Sequence, residues 1–186
     1  MVEHHHKIVE WIQNDPVRIQ ALKIVEFVFN QEGIKEYLLA AGFVRNLVWD
    51  RLHDFEQLSP LFDIDVIFYD THEPSELRDQ NLETLLKNEL SLPWSVKNQA
   101  RMHVRNGDRP YQSVNDAMSY WPEKETAIGV RLEKNEIVVQ SAFGLDSLFA
   151  LEVTHNPKRS LDIFYQRVKD KNWLSLYPKL KQITSK

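Results

Sequence analysis

Cysteine is absent from this chain, which excludes a disulfide framework, a thiolate metal site and a cysteine nucleophile. That absence is compatible with a reducing cytoplasmic setting. Positive charge is not in excess either: 23 basic residues stand against 27 acidic ones, a formal net charge of −4. No global attraction to nucleic acid follows, so any contact with a phosphate backbone must use a local patch. Apolar runs of membrane-spanning length are missing, and the polar, histidine-bearing start is not a signal peptide, so no membrane partner is expected. Repeats, low-complexity tracts and clear linkers are lacking too. His4-His5-His6 reads as an added or frayed, solvated end rather than as a metal site.

What is present is 186 residues, 42% hydrophobic and 27% charged, an ordinary soluble globular composition able to bury roughly 70% of the unfolded chain's surface. A single domain over 1–186 is expected, with residues 1–33 as a helical N-terminal extension and 157–186 as a C-terminal helical one. Strands are expected near 37–41, 62–69, 94–103, 127–132 and 136–140. Helices between them predict an α/β (α+β) fold with a mixed central sheet.

The stretch from Tyr37 to Asp70 organises the rest. In FDIDVIFY, Asp63 and Asp65 are two residues apart, so on a strand both face the same way, roughly 6.5–7 Å apart at Cα. Ile64, Val66 and Phe68 face the other way. Burying unpaired carboxylates costs several kcal/mol each, which calls for a cation or strong hydrogen bonds. Upstream, Gly42 opens a helix whose buried face is Val44, Leu47, Val48 and Leu52. A helix N-terminus starting on glycine admits close approach of an anion, and Arg45 adds a planar fork of donors. A plain structural turn is the blander reading of that segment taken alone.

Elsewhere the pattern is one of packing. Residues 4–13 read as a helix, and a second begins at the cap Asp15 with Pro16 in its first turn and ends at Gly33. A helix after Pro74 carries Leu77, Leu82, Leu85, Leu86 and Leu90 as an apolar stripe. Ser113 and Asp116 open a short helix, Glu133-Lys134-Asn135 turns a hairpin, and Asp146 caps another short helix. The final helix runs from Pro157, with Trp173, Leu176 and Tyr177 packing its end. Lys97, Arg101, His103, Arg105 and Arg109 form a local basic series. In an extended backbone Arg101, His103 and Arg105 share a face, either as a clamp for phosphate or a nucleic-acid acceptor or as a solvated edge strand.

Ala41-Gly42-Phe43-Val44-Arg45-Asn46 followed by Asp63-Ile64-Asp65-Val66 resembles the Gly-Gly-x-Val-Arg-Asp and Asp-x-Asp motifs of the polymerase-beta-like nucleotidyltransferase superfamily, particularly its tRNA CCA-adding branch. The runs AAGFVRNLVWDRLH, DIDVIFYD, LPWSVKNQARMH, AIGVRLE, FGLDSLFALEV and KNWLSLYPKL together look like a small, largely uncharacterised bacterial nucleotidyltransferase-like family. The resemblance implies a nucleotidyltransferase sheet and metal-dependent transfer of a nucleoside monophosphate from a nucleoside triphosphate to a hydroxyl acceptor, with release of pyrophosphate. RNA, protein and small molecules are all open as acceptor. It implies Asp63 and Asp65 as catalytic ligands of Mg²⁺, with Mn²⁺ as the alternative. Gly42, Arg45, Lys97, Asn98 and Arg101 become the nucleotide-binding set.

Two positions depart from the pattern. Phe43 stands where a second small residue is expected, narrowing the approach to the triphosphate. Asn98 stands where a third carboxylate is expected, and an amide cannot act as a general base; Glu133 or Asp146 would have to reach the site in its place. A noncatalytic nucleotide- or RNA-binding protein on the same fold is therefore the second reading. A purely structural ion network, pairing Asp63 and Asp65 with Arg45 and Arg101, is the third.

Overall fold

The structure is a computed structural model, described over residues 2–184; the last two residues of the expected C-terminal extension lie outside that range. Helices α1 (Val2–Gln13) and α2 (Pro16–Gln31) come first, and the Asp15 side chain accepts the backbone N–H groups of Val17 and Arg18, as its capping position predicts. The histidine run is inside α1 rather than frayed. His4 stacks on Phe149 with ring centroids 4.1 Å apart. Ile8, Ile12, Leu22, Val25 and Phe29 are buried in the main apolar core, so these helices complete the core instead of extending from it.

Strand β1 (Tyr37–Ala40) runs into α3 (Gly42–Leu52), then β2 (Ile64–Phe68), α4 (Glu76–Glu89), β3 (Trp94–Asn98) and α5 (Gln99–Asn106). The short helix α6 (Val114–Met118) and a 3-10 turn at Lys124–Thr126 lead to the hairpin β4 (Ile128–Glu133) and β5 (Glu136–Ser141). Its turn residues Lys134 and Asn135 have φ of 51° and 67°, the left-handed pair that matches the twist of a two-residue hairpin. Helix α7 (Asp146–Phe149), β6 (Glu152–Thr154), α8 (Leu161–Asp170), α9 (Trp173–Leu176) and β7 (Lys181–Ile183) close the chain.

The main sheet has the order β3-β2-β1-β4-β5, antiparallel except for the parallel pair β2 and β3. It is the mixed sheet that the alternation of elements predicts. One face packs Leu39, Ile64, Val66, Phe68, Val96 and Val130 against the helices; the other carries a smaller cluster around Leu38, Ala40, Ile67 and Met118.

Three further expectations are corrected. The strand beginning at Trp94 ends at Asn98, whose side chain accepts the N–H of Ala100 and turns the chain into α5. Arg101, His103 and Arg105 are therefore helical and share no strand face. In α4, Leu82 and Leu86 are buried but Leu77 and Leu85 are 63% and 40% exposed, because a 3.6-residue repeat cannot hold all five leucines on one side. Finally, the C-terminal segment is not one helix: it divides into α8 and α9, and β7 returns to pair in parallel with β6.

Candidate active site

Antiparallel pairing sets Ala40, the last residue of β1, opposite Asp65 in β2. The start of α3 and the acidic pair consequently share one end of the sheet. The link between them is strained: Ala41 has φ 54° and ψ −121°, a region that L residues rarely enter and that accumulates at functional sites. Its carbonyl accepts the N–H groups of Val44 and Arg45, while the first N–H groups of a helix have no intrahelical acceptor and point outward. Gly42 keeps that approach narrow but open; a Cβ there would lie 3.3 Å from the Asn46 amide nitrogen.

Phe43 does not narrow the approach. It is fully buried in the main core, and its carbonyl accepts the Arg18 Nε–H at 2.9 Å. The bulky side chain is turned inward and only its backbone belongs to the turn.

Asp65 is half-buried on β2, and Asp63 is exposed one residue before that strand begins. Among the described residues neither carboxylate makes an ion pair or accepts a side-chain hydrogen bond. Burial, then the neighbouring charge of Asp63, pushes the Asp65 carboxyl up to about 6 against the opposing pull of Arg45, Lys171 and Arg167. Asp63, though exposed, is also raised by partial desolvation, with Lys171 the strongest opposing charge. Two neighbouring carboxylates with no direct ion-pair partner offer hard oxygens to a cation, and the pairs with Arg45 and Arg101 that an ion network needs are not formed among the described residues. A donor pair of hard oxygens fits Mg²⁺ or Mn²⁺, which needs only one or two protein carboxylates when phosphate oxygens complete its shell.

Arg45 is not an open phosphate fork. It is 6% exposed, donates to the Thr126 hydroxyl at 2.7 Å and to the Asn46 amide oxygen at 2.9 Å, and lies against the rings of both Trp49 and Trp173. Burial draws its pKa down to about 10, opposed first by Glu123. Its charge reaches Asp65 through the protein while its donors hold the turn.

Lys97 pairs across from Ile67 on the face that carries Asp65 and Ser95, so it stands beside the site with no ion-pair partner among the described residues. Asn98 and Arg101 do not join it. Asn98 faces the opposite side, is fully buried, and bonds the Asp70 backbone through both amide atoms. Arg101 is held by the buried Asp79, which also accepts the Asn98 N–H. The cross-strand neighbours of Asp65 are Ala40 and Ser95, so neither flanking strand supplies a third acid. Glu133 is at the far end of β4 and pairs with Arg131; Asp146 is exposed beside His4. Among the described residues no group of three or more potential metal ligands gathers.

Sequence reasoning missed the residues that close the site. Glu123, fully buried, accepts Arg167 Nε–H at 2.7 Å and the Thr126 hydroxyl at 3.1 Å. Arg167 and Lys171 come from the C-terminal segment, which also sets Trp173 on Arg45 and Tyr177 on Asp50 at 3.0 Å. The only local signal was the basic pair four residues apart on an amphipathic helix, which is commoner as a solvated face.

Comparison with known proteins agrees with this geometry. A family model described as a nucleotidyltransferase matches residues 28–182. A solved NMR structure described as revealing a CCA-adding enzyme head domain is similar to 97% of this chain over 96% of its own, with TM-score 0.82 and 30% identity. A structure described as a tRNA-processing enzyme in an apo form shares the fold over 92% of this chain and 44% of its own, with TM-score 0.54 and 13% identity. No curated protein matches.

Proposed function

This chain belongs to the nucleotidyltransferase family, and from that premise we propose that it moves a nucleoside monophosphate from a nucleoside triphosphate to a hydroxyl acceptor and releases pyrophosphate. One observation carries the reading: two carboxylates without protein partners stand at the same end of the sheet as a helix start that opens on glycine.

In this reading Asp63 and Asp65 hold a divalent cation and Gly42 lets the phosphates approach the first turn of α3. Mg²⁺, or Mn²⁺, would supply neutralisation of the triphosphate charge and activation of the attacking oxygen when bound. Lys97 adds a positive charge on the same sheet face, and Arg45 keeps the turn in register from beneath. Asn98 and Arg101, bonded to the Asp70 backbone and to Asp79, are left out of the phosphate grip. Asp65 must be ionised to act as a ligand, which its position near 6 permits at neutral pH. Positioning and fixed charge, rather than covalent chemistry, account for the rate. RNA is the first acceptor class to try, because the 30%-identical structure is described as a CCA-adding enzyme head domain; protein and small-molecule hydroxyls follow.

The lack of a carboxylate on either strand beside Asp65 favours a second reading, a nucleotide- or RNA-binding protein without turnover. Pyrophosphate release from each nucleoside triphosphate, with Mg²⁺ and Mn²⁺ and across the three acceptor classes, separates the two. Release that is lost in Asp65→Asn supports transfer. Binding without release in any mixture supports the binding protein, and no binding at all removes both.

A further inference from the structure

The turn between α8 and α9 is fixed on both sides to the floor of the site. Before it, Arg167 pairs with buried Glu123 at 2.7 Å. After it, Trp173 covers Arg45 at 4.4 Å and meets Trp49 edge-on at 5.6 Å. Thr126 joins the two anchors, donating to Glu123 and accepting from Arg45. Asn172 takes a left-handed φ of 52° to make the corner. Lys171 is the residue that this corner presents: it is exposed, and no carboxylate lies within ion-pair distance of it among the described residues.

From this we propose that Lys171, held on the α8–α9 turn that Trp173 fastens to Arg45 in the first turn of α3, is the cation that grips the polyphosphate of the nucleotide. The ligand's identity rests on the nucleotidyl-transfer reading; the position of the lysine does not. Lys171 makes no ion pair with Asp63 or Asp65 among the described residues, and its charge opposes the upward push of burial on both carboxyls. A phosphate chain that brings its own cation fits between an acid pair and a facing ammonium, since each phosphate oxygen then meets positive charge on both sides. Arg167 cannot take this part because Glu123 holds its fork. A compact ammonium on a flexible stem in a rigid corner can follow phosphate groups as they separate. The C-terminal segment thereby becomes part of the binding site, which explains why its aromatic residues are buried against α3.

The test is calorimetric titration of inorganic tripolyphosphate with Mg²⁺ into the full chain. Lys171→Ala and Lys171→Met should weaken binding by about tenfold or more, Lys171→Arg should stay within about threefold of the parent, and Lys169→Ala, a control that removes an equal charge two residues away, should change nothing. Melting temperatures should be alike, which sets aside a mere helix C-terminal charge effect. Unchanged binding in Lys171→Ala, or equal weakening in Lys169→Ala, overturns the assignment while leaving nucleotidyl transfer in place. If the parent protein binds neither tripolyphosphate nor any nucleoside triphosphate, both readings fall together.

Discussion

The guanidinium carbon of Arg45 stands 4.4 Å from the centre of the Trp173 ring, so a residue near the C-terminus forms the roof over the first turn of α3. Trp173 is 4% exposed, and truncating a buried tryptophan costs about 3–5 kcal/mol. Trp173→Ala should lose that amount in urea denaturation and also weaken nucleotide binding, because the α8–α9 turn loses one anchor. Full binding in a destabilised variant would separate the roof from the site.

Asp65 gives the clearest pH dependence. Its folded-state pKa, raised to about 6 from an ordinary 3.8, means the folded chain holds this proton to higher pH than the unfolded one. The stabilising contribution is therefore full below about 4 and lost as pH rises through about 6. Asp65→Asn removes the effect, so without metal it should be more stable than the parent at pH 7.5 by about 1–3 kcal/mol, and nearly equal at pH 4. Urea midpoints at both values check this; a variant less stable than the parent at pH 7.5 would contradict it.

Metal response should invert that order. Mg²⁺ with a nucleoside triphosphate raises the melting temperature of any protein whose folded state alone binds them. The parent should gain several degrees above pH 6, and Asp65→Asn and Asp63→Asn should gain none. Chelation with excess EDTA should return the parent to its metal-free value.

Gly42 should separate binding from stability. A Cβ would meet the Asn46 amide at 3.3 Å, the end of a side chain that can shift, so Gly42→Ala should cost under about 1 kcal/mol. Gly42→Val places methyl groups where an anion approaches the N–H groups and should weaken tripolyphosphate binding by about tenfold. Equilibrium unfolding and calorimetry on the same preparations check both parts.

Glu123 ties three elements together through Arg167, Thr126 and the neighbouring Arg45. Glu123→Gln leaves the Arg167 charge without its counter-ion, and since Arg167 is partly exposed the loss should be about 1–3 kcal/mol. Because the α8–α9 corner loosens, KM for the nucleotide should rise more than kcat falls. Steady-state pyrophosphate release measures that split.

Much of this was legible in the chain itself. Alternation through Ile64, Val66 and Phe68 against Asp63 and Asp65, the turn at Gly42, the Asp15 cap and the Lys134-Asn135 hairpin are local patterns, and local sterics and the 2.0 and 3.6 periods determine them. They were enough to define the mixed sheet and the acidic pair at the start of β2. What the tertiary structure alone decided was which side each neighbour faces and what covers it. Asn98 and Asp65 are on neighbouring strands of the same sheet but face opposite sides, because the parallel register pairs Asn98 with Phe68 and Ser95 with Asp65. Arg45 looked available for phosphate and proved to be enclosed by Trp49, Thr126 and Trp173. The charges of Arg167 and Lys171 reach Asp65 only because the C-terminal segment folds back on α3, where Glu123 holds Arg167. Contacts between residues more than a hundred positions apart leave no period or spacing in the chain, so only packing of the whole core reveals them.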